Sequence, residues 1–125
     1  MIHLDTHVAA WLYAGLLDHI PERVRKAVGE NEVFVSPMVA LELQYLFEIR
    51  RVTEPAAAVI DSLGKELGLQ LCAAPFPRIV EEAMAQTWTR DPFDRIIVAH
   101  AAVQKSILVT KDEHIHRQYP QALWD

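Results

Sequence analysis

Short apolar runs alternate with helical patterns along the chain, and this alternation constrains the fold more than any other feature. Ile2 to Leu4, Val33 to Val35, Leu69 to Cys72 and Ile107 to Val109 have the length and composition of buried strands. Between them lie segments with helical periodicity: Thr6 to Ala14, Pro21 to Val28, Ser36 to about Arg50, Glu54 to Glu66, Pro77 to Ala85, and Asp91-Pro92 to about Gln104. A short helix from Asp112 to about Gln118 and an edge strand at Leu123 and Trp124 complete the expectation. Parallel strands need long crossovers, usually helices. The pattern therefore predicts an α/β fold: a central, mostly parallel β-sheet flanked by α-helices. With no repeat and no linker, residues 1–125 are expected to form one domain.

Composition agrees with a packed, soluble domain. Hydrophobic residues make up 51% of the chain, enough for a core, and charged residues 23%. Cys72 is the only cysteine, so neither an internal disulfide nor a Cys-based metal site can form, and a reducing compartment is expected. The start of the chain lacks a basic n-region and a long apolar core, and no apolar run approaches the ~20 residues that span a bilayer. We therefore expect a cytoplasmic protein with no membrane partner. The net charge of −5 disfavours tight, non-specific binding to a duplex. Four carboxylates gathered on a cation would account for all but one of those charges.

Four acids stand out. Asp5 and Asp112 follow the first and fourth strands, where helices begin, and that edge of an open α/β sheet carries the ligand crevice. Each is either a helix N-cap or a site residue. Asp94 lies at the third position of a helix capped by Asp91, where an acid favours the dipole, yet it shares a face with Ile97, Val98 and Ala101. Glu42 lies inside its helix among Met38, Val39, Tyr45 and Leu46, beyond the reach of capping. A buried carboxylate needs a partner, so Glu42 is either salt-bridged or shares a metal ion with other acids. Hard divalent cations take oxygen ligands, and carboxylates alone can build a phosphodiesterase site.

The segments carrying these acids are Ile2-His3-Leu4-Asp5-Thr6-His7, Ser36-Pro37 to Glu42, Asp91-Pro92-Phe93-Asp94-Arg95 running into Ile96 to Ala99, and Leu108-Val109-Thr110-Lys111-Asp112. In order and spacing they resemble the PIN domain over essentially the whole of 1–125, and within it the VapC-type toxins of toxin–antitoxin systems. The resemblance implies a parallel sheet between helices and endonucleolytic cleavage of RNA. It implies Mg²⁺ or Mn²⁺ at a cluster of Asp5, Glu42, Asp94 and Asp112, with Asp5 and Asp94 as the main metal ligands. It also implies inhibition by a cognate antitoxin and a homodimer. Many relatives carry His where this chain has Thr89, a change that bears on the substrate rim rather than on a ligand.

Among the remaining residues, Asp91 is a cap or a fifth site acid. Arg90, Arg95 and Lys111 are candidates to touch phosphate, and Arg95 can instead pair with Asp91 one turn back. His100 is expected to be structural, and His114 and His116 are not on one helix face. Trp11, Trp88 and Trp124 either pack or stack on bases. An apolar surface of Met38, Leu43, Phe47 and Ile49 is expected to receive a protein partner. Two rival functions use the same fold. A phosphoacceptor signalling module needs an Asp after a middle strand, and Ala73, Ala74 and Pro75 stand there instead. A catalytically silent binding module has no need of all four acids.

Overall fold

A computed structural model describes residues 1–125. Five parallel strands form one sheet: β1 (Ile2–Leu4), β2 (Val33–Val35), β3 (Gln70–Leu71), β4 (Ile107–Val109) and β5 (Ala122–Leu123), in the order β3-β2-β1-β4-β5. The helices are α1 (Thr6–Ala14), α2 (Glu22–Glu30), α3 (Pro37–Glu48), α4 (Ala56–Leu67), α5 (Phe76–Ala85), α6 (Pro92–Val103) and α7 (Glu113–Gln118). A 3-10 turn at Leu17–His19, not anticipated from the sequence, follows α1.

β1 sits at the centre. Ile2 lies opposite Val33 on one side and Ile107 on the other, and Leu4 lies opposite Val109. The chain runs outward from β1 through β2 to β3, then returns to place β4 on the other side of β1. That reversal is a topological switch point, and it opens a crevice at the carboxyl ends of β1 and β4.

Local chemistry sets the helix starts. Ser36 caps α3 by accepting from the Met38 N–H at 3.0 Å, with Pro37 at the first position. Asp91 caps α6 from the Phe93 N–H at 2.8 Å, again followed by proline. α4 begins at Ala56, not Glu54, because Pro55 keeps the residue before it out of the helical region and itself stands at the cap. α3 stops at Glu48, short of Arg50, because Arg50 takes a positive φ of 62°. The Arg51 N–H then closes the turn on the Leu46 carbonyl at 2.8 Å.

The main core takes in both faces of β1, the inner faces of α1 to α4, and Ile97, Val98 and Ala101 of α6, while Ile96 and Ala99 pack in a second cluster with Ile79 and Ala83 of α5. Leu43 belongs to this core with no exposed surface, so the expected surface of Met38, Leu43, Phe47 and Ile49 is corrected. The apolar side chains that α3 leaves outside are Leu41, Tyr45 and Ile49. Helical spacing explains the correction: Val39 and Leu43 are four apart and share the inward face. No helix is long and apolar enough to cross a membrane.

Candidate active site

The end of β1 delivers Asp5 to the crevice. Its backbone N–H pairs with the Val109 carbonyl at 2.9 Å, which ties the residue to β4. Its side chain accepts from the Thr6 N–H at 2.8 Å through Oδ1 and from the Thr110 hydroxyl at 2.6 Å through Oδ2. Asp5 is thus both a helix cap and a wall of the crevice. Asp112 is likewise both: its Oδ1 accepts from the His114 and Ile115 N–H groups at 2.8 and 3.1 Å, and its carboxylate lines the same cleft. The capping and site readings of these two residues are compatible.

Glu42 reaches the cleft from the second turn of α3. Its Oε1 accepts from the Thr6 hydroxyl, which is wholly buried. The salt-bridge alternative for Glu42 is not realised, since the molecule has a single ion pair, the exposed Lys65–Asp61 contact at 3.2 Å. Asp94 reaches the cleft from the first turn of α6. The cleft has a volume of about 610 Å³ and gathers Asp5, Glu42, Asp94 and Asp112 with Asp91 and Lys111. Asp91 also keeps its capping bond to Phe93, so it too serves twice.

Arg90 and Arg95 do not line this cleft. Arg95 Nε donates to the Thr89 carbonyl at 2.9 Å and makes no ion pair with Asp91, one of the two roles that its position offered. The Arg90 guanidinium donates to the Thr87 carbonyl at 2.9 Å. Both side chains brace the loop that leads into α6, because its carbonyls have no partner in regular structure. Lys111 alone among the three basic candidates faces the cleft. The sequence reading missed Thr6 and assigned no role to His7, which lines the cleft one turn before Trp11.

The electrostatics follow from gathering acids with no cation in ion-pair range of any of them. Burial, then the negative charges of Asp91, Asp5, Asp112 and Glu42, push the Asp94 carboxyl up to about 7. Burial also raises Glu42, opposed by the Thr6 hydroxyl and reinforced by the charges of Asp5 and Asp91. Asp5 is raised by burial against the pull of its bonds from Thr110 and Thr6. As placed, no three acidic, histidine or cysteine side chains converge tightly enough to hold an ion by themselves. A hard cation that takes one or two carboxylates and fills the rest of its shell with water still suits this donor set. Its charge would relieve the repulsion that lifts Asp94.

Fold and cleft together define a parallel α/β domain with unneutralised carboxylates at its switch point. The PIN domain model matches residues 2–119, and the chain belongs to the PIN domain family. No curated protein matches the sequence. Among solved structures, the chain is similar to one in VapBC2 from Rickettsia felis bound to a DNA fragment from their promoter, with 21% identity, 100% of both chains covered and a TM-score of 0.68. It is similar to a chain of DNA-bound VapBC from Salmonella typhimurium, with 22% identity over 98% of this chain and 96% of that one, and a TM-score of 0.62. For VapBC-1 from nontypeable Haemophilus influenzae the identity is 20%, the coverage 100% and 97%, and the TM-score 0.68. At these identities the likeness is one of fold.

Proposed function

We propose that this chain is a metal-dependent endoribonuclease, the toxin of a VapC-type toxin–antitoxin pair. The carrying observation is one cleft holding Asp5, Glu42, Asp94 and Asp112 with no basic side chain in ion-pair range. Membership of the PIN domain family supports the reading, as does a fold shared with chains of VapBC complexes. We assign Mg²⁺ or Mn²⁺ to the cleft, because the available donors are hard oxygens. Asp5 and Asp94 hold the ion, with Glu42 and Asp112 completing the acidic set. A divalent ion there supplies charge neutralisation for the scissile phosphate and lowers the pKa of an attacking water. Thr110 fixes the Asp5 carboxylate and Thr6 fixes that of Glu42. Lys111 offers the phosphate chain a cation at the rim.

A second cleft of about 620 Å³ adjoins the first and is lined mostly by apolar side chains, among them Ala10, Tyr13, Ala14, Leu16 and Leu46. We assign it to an apolar segment of the antitoxin. Exposed Leu41 and Tyr45 on α3 support a homodimer, which sedimentation tests. Free Cys72 and an RNA substrate fit a cytoplasmic protein.

The test incubates the purified chain with total RNA, with and without Mg²⁺ or Mn²⁺, and maps the new ends. Discrete cuts that need the metal are expected. Full cleavage in excess EDTA, with contaminating nuclease excluded, overturns the metal requirement. No cleavage with either ion overturns the nuclease reading.

A further inference from the structure

The cleft meets a problem that its own charge creates. Ten residues line it, and Lys111 is the only lysine or arginine among them. The chain carries −5 overall, so a polyanion gains little from its general field. Part of the affinity for RNA must then come from contacts that do not depend on charge. Base stacking on an aromatic face is such a contact, and it tolerates any base.

Trp11 stands where that contact is needed. It lines the acidic cleft and is half-buried rather than enclosed. It lies six residues past Asp5 on α1, about 9 Å along the helix axis, a few nucleotides of single strand at most. Its ring is held by His19 at 5.6 Å, Trp124 at 5.9 Å and His7 at 6.2 Å between centroids. Over it stands Lys111 Nζ, 5.9 Å from the ring centroid. Trp88 offers no equivalent: it lies outside the cleft, its N–H is bonded to Gln86 at 2.7 Å, and His114 meets it edge-on.

We propose that Trp11 is a stacking subsite for one base of single-stranded RNA next to the cut phosphate, with Lys111 as its gatekeeping cation. Without substrate, the Lys111 ammonium rests against the indole. RNA draws that ammonium to a phosphate, and a base takes its place on the ring. The subsite rests on the nuclease reading for its substrate, but it is measurable without cleavage.

The experiment uses the full chain carrying Asp94→Asn, in Mn²⁺, so that RNA is bound and not cut. Affinity is measured for a labelled single-stranded RNA and for the same backbone with abasic positions. The intact RNA is expected to bind about ten-fold tighter. Trp11→Leu should erase that preference and Trp11→Phe should keep most of it. Lys111→Gln should keep the preference while flattening the salt dependence by roughly 0.7 in the log–log slope, the value for one phosphate of a single strand. Should Trp11→Leu fail to fold, Trp11→Met, which keeps bulk without an aromatic face, is read in its place with the same loss of preference expected. An unchanged ratio of intact to abasic binding in Trp11→Leu overturns the proposal, and so does loss of affinity only for a protein partner. Loss of cleavage by the unmodified chain with base preference intact would instead count against the nuclease reading alone.

Discussion

At the carboxyl edge of the sheet, carboxylates crowd into a cleft. In the interior between β1 and α6, two histidines are buried almost completely, His3 at 1% exposure and His100 at 2%. Both regions bring titratable groups among apolar side chains, yet they resolve the cost in opposite ways. His100 Nδ1 meets the Ser36 hydroxyl at 2.8 Å, and His3 Nδ1 meets Ser106 at 2.8 Å. Burial lowers the pKa of both, that of His3 to about 4, so each stays neutral and is served by a neutral neighbour. Among fully buried side-chain nitrogens and oxygens, His3 Nε2 alone lacks a partner. The acids are pushed the other way, and their oxygens stay largely unspent. A carboxylate has room for about four hydrogen bonds. Asp5 accepts two, Glu42 one, and no hydrogen bond offsets the raised pKa of Asp94. Burial with a matched partner marks a polar group that serves the fold. Carboxylates gathered at the crevice with most of their oxygen lone pairs unspent are open to something that arrives from outside.

The largest expected effect breaks the acidic side of this contrast. Asp94→Asn should lower RNA cleavage by more than ~100-fold, beyond the loss that removing even an outer hydrogen bond to a metal ligand can cause. It should also raise the melting temperature without metal, because it removes a repelled charge. Glu42→Gln should behave alike, melting at or above the unaltered protein without metal and gaining less from Mn²⁺. A variant that is destabilised without metal but cuts RNA normally would mean that the acid is structural. Next comes Thr110→Val, which deletes the 2.6 Å bond to Asp5 Oδ2 and keeps the shape. A loss of ~10–100-fold in metal affinity or activity is expected, read by calorimetric titration with Mn²⁺.

The histidine side should respond in stability alone. Ser106→Ala removes the hydroxyl that serves His3 and that also reaches the Ile107 carbonyl at 3.0 Å. With Nε2 already unpartnered, the ring would keep no hydrogen bond, at a cost of about 1–3 kcal/mol. Denaturant unfolding measures that cost, while metal-dependent cleavage should be unchanged at temperatures where the variant is folded. An equal loss of activity would erase the distinction between the two regions.

Much of this contrast is legible in the sequence, and the exceptions have physical causes. β1, β2 and β4 match expectation to the residue, because each is a short apolar run between strong helix caps. β3 is one residue shorter at each end than expected, and β5 lies one residue earlier. They are edge strands, and their extent depends on one neighbour's hydrogen bonds more than on their own composition. The acids are legible because Asp5 and Asp112 follow strands and Glu42 breaks an apolar helix face. Their hydroxyl partners are not: Thr6 is 36 residues from Glu42, and Thr110 is 105 residues from Asp5. Helical spacing allows Arg95 either a phosphate contact or a pair with Asp91, and the nearby Thr89 carbonyl takes the guanidinium instead. Loop carbonyls leave no trace in a periodicity.

The smallest expected effect is also the sharpest test, because the two regions oppose each other in their response to pH. Consider the metal-free protein. His3 titrates near 6.5 when unfolded and near 4 when folded, so between those values the unfolded state binds the extra proton. Stability from this group therefore falls as pH drops from about 6.5 to about 4. The lowered His100 acts in the same sense. Asp94 is the reverse, with an unfolded value of 3.8 and a folded value of about 7. Between them the folded state holds the extra proton, so stability falls as pH rises, and the raised Asp5 and Glu42 add to that slope. Across pH 4 to 6.5 the two trends partly cancel, and thermal melts of the unaltered protein in EDTA should vary little. Asp94→Asn removes one limb and should uncover a loss of stability on acidification. Saturating Mn²⁺ should lift stability most at the alkaline end, where the carboxylates are charged and the ion competes with fewer protons. Parallel pH profiles for Asp94→Asn and the unaltered chain would mean that Asp94 is not held protonated by its neighbours, and the proposed distinction between the cleft and the histidine interior would lose its electrostatic basis.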